Sequence, residues 1–244
     1  VVARSRVGPN PQHVALSWDL RTPWVANNAE NTTKGSLTPV DPRTGKPGKP
    51  VAVDDPYNMY FSPDGKSAIV VAEAMKRLDF RDPKTMQLQY SIDVPQCAGI
   101  NHADFSIDGS FAIFTCEFSG TVAKVDLVNR KVLGYTQVIQ PGRSTTTVKG
   151  PDGRDEVICK TWKGMPQDIR ATPDGKLFLV ADMMADGVHV VDGESFRQVG
   201  FIGTGKGTHG LYPSRDGRKL YVANRGSNKI HAPPKGKGSV SVID

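Results

Sequence analysis

The sequence predicts an all-β fold, and three observations indicate it. The 244 residues include 25 Gly and 18 Pro, both of which are poor helix formers. Short apolar runs alternate with Asp-Gly and Pro-Asp-Gly turns, which favour hairpins because Gly accepts a positive φ and Asp bonds the local backbone. Charged residues of both signs form 23% of the chain and are interspersed, which argues against disorder. No apolar run approaches the ~18 residues that a membrane span needs.

One turn-and-strand unit occurs five times along the chain. The turns are SWDL (17–20), SPDG (62–65), SIDG (106–109), TPDG (172–175) and SRDG (214–217). Each turn precedes an apolar strand that ends in a polar residue, then a third strand that ends in Asp and, in four units, a fourth strand. The turn aspartates are 45, 44, 66 and 42 residues apart. Four short antiparallel strands at this period predict the blades of a β-propeller.

We therefore expect one β-propeller domain over residues 1–244. The predicted repeat units are 11–54, 56–94, 100–138, 166–203 and 208–244, and the long interval is explained by an insertion over about 139–164. The last unit ends after its third strand, and residues 1–8 are predicted to form a strand that belongs to a preceding or the closing blade. Two interpretations stay open, a closed five-blade ring or a piece of a larger one. Because the first residue is Val, we expect a processed or trimmed N-terminus.

The last unit carries a family resemblance. The stretch LYPSRDGRKLYVANRGS, followed by GSVSVID, within 211–244 resembles the YVTN-type β-propeller repeat, and the other units match it less closely. The resemblance extends over the whole chain and to lactonase, nitrous-oxide-reductase-like and cytochrome d1-like propellers. It implies a larger parent protein, typically seven-bladed, and a periplasmic, cell-surface or secreted location. The motif is specific for the fold and weak for function, because propellers host unrelated activities.

Candidate site residues follow from propeller geometry, in which the first strand of each blade lines the central channel. Positions six and seven residues before each turn Asp, and the end of each second strand, are predicted to gather at one channel mouth. The candidate ligand-binding residues at or beside these positions are His13, Tyr57, Asn58, Glu73, Asn101, His102, Glu117, Gln167, Asp168, Asp182, His209 and Arg225. Arg225 and His102 are candidates to relieve repulsion between the carboxylates. The structural alternative is that polar strand ends bond loop backbones.

Four classes of function stay open. The first hypothesis is a binding or interaction module that holds a small molecule or a protein at the channel mouth. The second is a propeller enzyme of the lactonase or lyase type, and three mouth histidines (His13, His102, His209) suggest a divalent metal as its cofactor. The third is a redox propeller with haem or quinone, and the fourth is DNA binding. Nucleic acid is disfavoured because the Lys and Arg residues behind the net charge of +6 are scattered.

Three cysteines are too few for a disulfide scaffold. Cys97 and Cys159 each precede a predicted channel strand in neighbouring blades, and they are the candidate disulfide pair. Cys116 lies inside a strand and is predicted to be a small buried apolar residue.

Overall fold

The all-β prediction is confirmed, and the fold is that of a five-bladed β-propeller. The computed structural model describes residues 4–28, 33–150, 153–230 and 236–244, which hold strands and turns and no helix. Each blade is an antiparallel sheet whose strands pair in chain order. The chain divides into two compact units, Val1–Pro95 and Gln96–Asp244. In the described parts of the chain, no helix has the length and apolar character needed to cross a membrane.

The first unit contains blades 1 and 2. The strands of blade 1 are β1 (Pro11–Leu16), β2 (Pro23–Asn27), β3 (Gly35–Pro39) and β4 (Val51–Val53). The strands of blade 2 are β5 (Pro56–Phe61), β6 (Ala68–Ala72), β7 (Arg77–Arg81) and β8 (Leu88–Asp93). Alternate side chains of the facing sheets form the core of this unit, which includes Trp24, Ala26, Leu37, Val53, Met59, Ala68, Val70 and Met86.

The second unit contains blades 3, 4 and 5 and an additional hairpin. The strands of blade 3 are β9 (Ile100–Phe105), β10 (Phe111–Cys116), β11 (Thr121–Asp126) and β12 (Lys131–Gln137). The predicted insertion forms the hairpin of β13 (Thr146–Lys149) and β14 (Asp155–Ile158). The strands of blade 4 are β15 (Pro166–Ala171), β16 (Leu177–Asp182), β17 (Gly187–Asp192) and β18 (Gln198–Gly203). Blade 5 has three strands in the described residues, β19 (Thr208–Pro213), β20 (Leu220–Asn224) and β21 (Ser239–Ile243).

The N-terminal segment differs from the prediction of a strand over residues 1–8. Residues 4–8 form no strand, and residues 1–3 lie outside the described residues. Ser5 donates its hydroxyl to the carbonyl of Gly45 at 2.6 Å. Gly8 lies so close to Asn27 and Ser36 that an added Cβ would be 2.7 Å from the Asn27 Cγ. These local contacts hold the segment against the loops and strands of blade 1. The prediction of a single domain over the whole chain stays a prediction.

The five turns that begin the second strands share one hydrogen-bond pattern. A hydroxyl two residues before each turn aspartate donates to its carboxylate at 2.6 Å, from Ser17, Ser62, Ser106, Thr172 and Ser214. This bond is the largest cause of a lowered pKa at Asp19, Asp64, Asp108, Asp174 and Asp216. The residue after the aspartate has a positive φ in every turn, and it is Leu20 in blade 1 and Gly in the other four. The repeated turn therefore sets the period on which the blades are built.

The predicted disulfide between Cys97 and Cys159 is wrong. Cys97 pairs with Cys116, with the Cα atoms 4.9 Å apart, and Cys159 is a buried free thiol. The reason is local, because Cys116 ends β10 opposite Ile100 of β9, and this pairing brings it beside the residues that precede β9. Cys116 is thus buried, as expected, although it is one half of a cross-link and not a free apolar residue.

The turn pattern predicts the acid behaviour of the carboxylates. Hydrogen bonds from the hydroxyl of Ser106, which is the largest cause, and from the N–H and hydroxyl of Ser110 lower the pKa of Asp108 to about 2. Ionised Asp108 therefore stabilises the fold above the ordinary pKa of 3.8, and this stabilisation is lost as the pH falls toward 2. Ser106→Ala should raise the pKa of Asp108 toward 3.8, as measured by NMR titration of the side-chain carboxyl carbon. Asp174, whose partner is Thr172, is the internal control and should keep its lowered pKa in the variant. An unchanged Asp108 pKa would contradict the assignment.

Candidate functional site

A β-bulge interrupts every first strand at the positions that the sequence singled out. The pairing of first and second strands shifts between Pro11 and His13, Pro56 and Asn58, Ile100 and Ala103, Pro166 and Ile169, and Thr208 and Gly210. Each bulge adds one residue to the first strand relative to the second. The residues in the bulges are Gln12, Tyr57, Asn101, His102, Gln167, Asp168 and His209. Bulges re-aim side chains and are frequent beside functional sites.

In the second unit, polar side chains of the bulges connect neighbouring blades. The Nδ2 of Asn101 donates to Glu117 at 2.9 Å, and it lies 3.5 Å from the Oε1 of Gln167 in the next blade. All three side chains are buried. The Oδ1 of Asn101 is also buried and has no hydrogen-bond partner among the described residues. A buried acceptor without a donor is costly, and the Oδ1 of Asn27 in blade 1 is in the same state.

A second group joins the bulges of blades 3 and 4 to blade 5. Asp168 accepts hydrogen bonds from the Nη1 of Arg170 at 2.7 Å and from the backbone N–H of Leu211 at 2.9 Å. The Nδ1 of His102 lies 3.9 Å from Asp168, which is too long for a hydrogen bond. Burial raises the pKa of Asp168, and the nearby charge of Arg170 and the backbone hydrogen bonds oppose this effect without cancelling it. Asp168 is thus a carboxyl group with an acid strength tuned by its surroundings.

The first unit has its own bulge contacts. The Nδ1 of His13 lies 2.9 Å from the carbonyl oxygen of Tyr57, and the two aromatic rings are 4.9 Å apart. Asn58 donates to the hydroxyl of Tyr60 at 2.9 Å. Glu73 accepts a long hydrogen bond of 3.4 Å from Asn28. His13, Tyr57, Asn58 and Glu73 thus lie on blades 1 and 2 and contact their immediate neighbours.

In blades 2 and 3, the polar residue that was predicted to end the second strand lies one residue beyond that strand. In strand register, the last position of the second strand holds Asn27, Ala72, Cys116, Asp182 and Asn224. Glu73 and Glu117 come one residue later, outside the strand. They were aligned with the strand end because Ala72 and Cys116 are apolar and the next residue is polar. Glu73 and Glu117 therefore do not occupy the position that Asp182 occupies in blade 4.

In blades 1, 4 and 5, the side chain at this corrected position links the second strand to the third. Asn27 donates to the hydroxyls of Ser36 and Thr38 at 3.1 and 2.9 Å, and Asn224 donates to those of Ser239 and Ser241 at 3.2 and 3.0 Å. In blade 3 the same position forms the Cys97–Cys116 disulfide. These contacts favour a structural role for this position, as the alternative interpretation of the sequence proposed.

In blade 4, Asp182 occupies this position and contacts His189 on the third strand. Its Oδ2 lies 3.1 Å from the Nε2 of His189, and both side chains are 0% exposed. Its Oδ1 accepts three backbone N–H groups, those of Met165, Met184 and Ala185, at 2.8 to 3.1 Å. Asp182 is therefore enclosed within blade 4 and its adjoining loops.

Arg225 does not relieve the carboxylates as predicted. It is exposed, and its guanidinium lies 3.4 Å from the Sδ of Met183 and 3.5 Å from the carbonyl oxygen of Ile230. The partners of the buried carboxylates are Arg170 for Asp168 and His189 for Asp182, and neither was predicted as a site residue. The sequence could have identified Arg170, because it lies two residues after Asp168 on β15 and residues i and i+2 of a strand share one face.

The histidines do not form a metal cluster within the described residues. No group of three or more His, Cys, Asp or Glu side chains with the spacing of metal ligands occurs there. His102 and His209 lie on β9 and β19, the first strands of blades 3 and 5, and β15 of blade 4 contacts both of these strands. His13 belongs to the other unit.

Comparisons with known proteins show the fold alone. No protein-family model matches this chain, and no curated protein matches it. Three similar solved structures are the hydrazine synthase of Kuenenia stuttgartiensis (19% identity, TM-score 0.70, 99% of this chain and 64% of that chain), the Cps50 (Swd1) β-propeller domain of Myceliophteria thermophila (12%, 0.65, 91% and 64%) and the periplasmic gluconolactonase PpgL of Pseudomonas aeruginosa (19%, 0.72, 98% and 75%). The chain spans less than two thirds of the first two. They differ in function, so the fold leaves function open.

The buried Asp182–His189 pair predicts a large stability effect. His189→Ala leaves a buried carboxylate without its side-chain partner, and we expect the free energy of unfolding to fall by about 3 kcal/mol. Asp182→Asn keeps a polar partner for His189 and should cost less. Urea denaturation measures both, with the exposed Val128→Ala as a control that should change stability by less than about 0.5 kcal/mol. A His189→Ala protein as stable as that control would show that the pair does not stabilise the blade.

Proposed function

We propose that this chain is a β-propeller binding module that holds a small polyhydroxylated ligand at the first-strand bulges of blades 3 to 5. The proposed contacts in the second unit are Asn101, His102, Glu117, Gln167, Asp168 and His209. The observation that supports the proposal is the cluster of polar side chains at the bulges, in which the Nδ2 of Asn101 contacts Glu117 of its own blade and Gln167 of the next. His13, Tyr57, Asn58 and Glu73 are proposed as polar contacts of the first unit.

The chemistry of these side chains favours hydroxyl groups as ligand atoms. Asn101 and Arg170 supply donors, and Glu117 and Gln167 supply acceptors. A sugar-like hydroxyl donates and accepts at once, so it matches a site where both kinds of group alternate. Preformed polar groups of this kind give orientation and specificity to small-molecule sites.

We also propose that the repeats are of the YVTN type and that the protein works outside the cytoplasm. The supporting residues for the repeat type are those of 211–244. The Cys97–Cys116 disulfide supports an oxidising compartment, where such bonds persist. The gluconolactonase among the similar structures is described as periplasmic.

The binding proposal predicts affinity for simple polyols. Titration calorimetry with D-glucose and D-gluconate as probes should detect binding, and Asn101→Ala should weaken it about tenfold, the effect of one lost hydrogen bond to a buried group. His102→Ala is a second variant that leaves the contact between Asn101 and Glu117 intact. The matched control is Asn129→Ala, an exposed turn residue of the same blade that bonds only Asp126 among the described residues. Absence of binding by both probes, or equal affinity of the Asn101 and Asn129 variants, would contradict the proposal.

A second candidate is a lactone hydrolase at the same bulges. It is favoured by the raised pKa of Asp168, by the position of His102 3.9 Å away and by the likeness to a gluconolactonase. Water would add to the lactone carbonyl carbon, the ring C–O bond would break, and the water proton would pass to the released alkoxide, giving a hydroxy acid.

The two candidates separate in one assay. With D-glucono-1,5-lactone as substrate, the hydrolase predicts acid release above the spontaneous rate and a loss of at least about tenfold in His102→Ala. Val128→Ala, an exposed site in a turn of blade 3, is the control. A rate equal to the spontaneous one excludes this substrate, and an equal rate in His102→Ala removes His102 from the reaction.

A further inference from the structure

A cleft of about 1140 Å³ lies beside the fourth strands of blades 3 and 4, away from the bulges. None of the predicted ligand-binding residues lines it. Its walls come mainly from residues 135–137, 139–143, 154–160 and 195–201, all within the second unit. The insertion between blades 3 and 4 supplies two of these four segments, so the cleft exists because of the insertion. Its volume exceeds the ~300–1,000 Å³ that is usual for a small-molecule pocket.

Two glutamine side chains hold the walls of the cleft in place. The amide of Gln198 accepts from the N–H of Ile139 at 2.8 Å and donates to the carbonyl of the same residue at 2.9 Å. The amide of Gln137 bonds the N–H and carbonyl of Cys159 in the same way, at 2.8 and 3.2 Å. Each pair copies the reciprocal hydrogen bonds of neighbouring strands. The insertion is thereby fixed to both blades, and the cleft is formed before a ligand arrives.

The main chain itself borders the cleft. Side chains alternate between the two faces of a strand, so a wall made of one face would contain every second residue. The wall instead contains consecutive residues of β14 and β18, within the runs 154–160 and 195–201, so main-chain edges of these two strands border the cleft. β18 is the last strand of its sheet, and its pairing with β17 has a bulge at Val199. The bulge favours hydrogen bonds to a ligand at a few backbone groups over the addition of a complete strand.

The charge of the cleft is positive. Its lining contains four cationic side chains and two carboxylates: Arg143, Arg154, Lys160, Arg197, Asp155 and Glu156. Asp155 forms an ion pair with Lys149 at 2.7 Å, which reduces its effect on the cationic groups. The remaining excess of positive charge favours an anionic partner.

Arg143 is held at the cleft by neutral groups. Its Nε and Nη2 donate to the Oε1 of Gln140 at 3.1 and 2.7 Å, and its guanidinium carbon lies 5.1 Å from the centre of the Trp162 ring. The pKa of the Cys159 thiol is lowered, first by the hydrogen bond with Thr161 and also by the charge of Arg143. The guanidinium is thus oriented while its charge still acts on neighbouring groups.

Apolar side chains are exposed in the same cleft. Val157 of β14 is 54% exposed, and Val199 of β18 is 59% exposed. Tyr135 and Phe201 add half-buried aromatic surface to the lining. Exposed apolar groups among cationic ones fit a chain that alternates apolar and acidic residues, and a free inorganic anion would leave them uncovered.

We propose that this cleft is a docking site for an extended acidic peptide segment of a partner protein. Carboxylates of the peptide contact Arg143 and Arg197, its apolar side chains cover Val157 and Val199, and its main chain bonds exposed backbone groups of β18. This interaction is independent of the ligand at the first-strand bulges, so either site can be tested without the other.

Fluorescence anisotropy with the whole chain tests the proposal. The probe is a labelled peptide of about eight residues that alternates Glu and Val, long enough to extend along a strand edge. The control probe alternates Lys and Val. We expect the acidic peptide to bind and its affinity to fall as salt rises from about 50 to about 500 mM. The double variant Arg143→Glu/Arg197→Glu should weaken binding at least about tenfold.

A matched double charge reversal separates the site from the overall charge. Lys66→Glu/Arg215→Glu changes two exposed residues at turns of blades 2 and 5 and should bind as the unmodified protein does. Circular dichroism confirms that both variants are folded. Three results would overturn the proposal: equal binding of the two peptides, equal effects of the two double variants, or displacement of the peptide by inorganic phosphate at millimolar concentration, which would indicate a simple anion site.

Discussion

The extra residue in each first strand is the constraint on which the polar site depends. A regular strand would send alternate side chains into the core, where an amide or a carboxylate without a partner is costly. The bulge places two residues opposite one, so Asn101 and His102 both lie opposite Thr115. The hydroxyl of Thr115 accepts from the N–H of His102 at 2.9 Å and donates to its carbonyl at 3.2 Å, which satisfies backbone groups that the bulge removes from the ladder. Polar side chains can therefore lie at the start of strands that are otherwise apolar.

A second constraint is that buried polar groups on the second and third strands need hydrogen-bond partners. The blades satisfy this constraint in different ways. Blades 1 and 5 pair asparagine with hydroxyl groups, and blade 4 pairs Asp182 with His189. Blade 3 has no such polar group at the end of its second strand, where Cys116 forms a disulfide instead. In blade 2 the buried carboxylate is Asp79 on β7. Burial alone would raise its pKa, but hydrogen bonds from Arg77 and Ser91 and the charges of Arg77 and Arg81 lower it. Variation among repeats is therefore a record of alternative structural solutions and not by itself a sign of a ligand.

The sequence was sufficient for the fold because the turn chemistry repeats. Asp with a hydroxyl two residues before it and a residue of positive φ after it marks every blade, and the strands follow by alternation. The first-strand positions singled out as candidate ligand contacts lie at the bulges, although the bulges themselves leave no trace in hydrophobic periodicity. The errors arose where local signals conflict with pairing. Apolar Ala72 and Cys116 shifted the expected strand end by one residue, and only the register of β9 and β10 reveals the partner of Cys97. The cleft was not predicted, because a polar insertion does not show which strand edges it will meet.

We propose that the bulges of blades 3 and 4 present their polar side chains to a ligand. A crystal structure at high resolution tests it most directly through the electron density around Asn101. We predict two bulge residues opposite Thr115 and, in a crystal soaked with D-gluconate, a ligand atom within hydrogen-bond distance of a bulge side chain of blade 3 or 4. A regular ladder between β9 and β10, or a soaked crystal with no ligand density at these bulges, would contradict it.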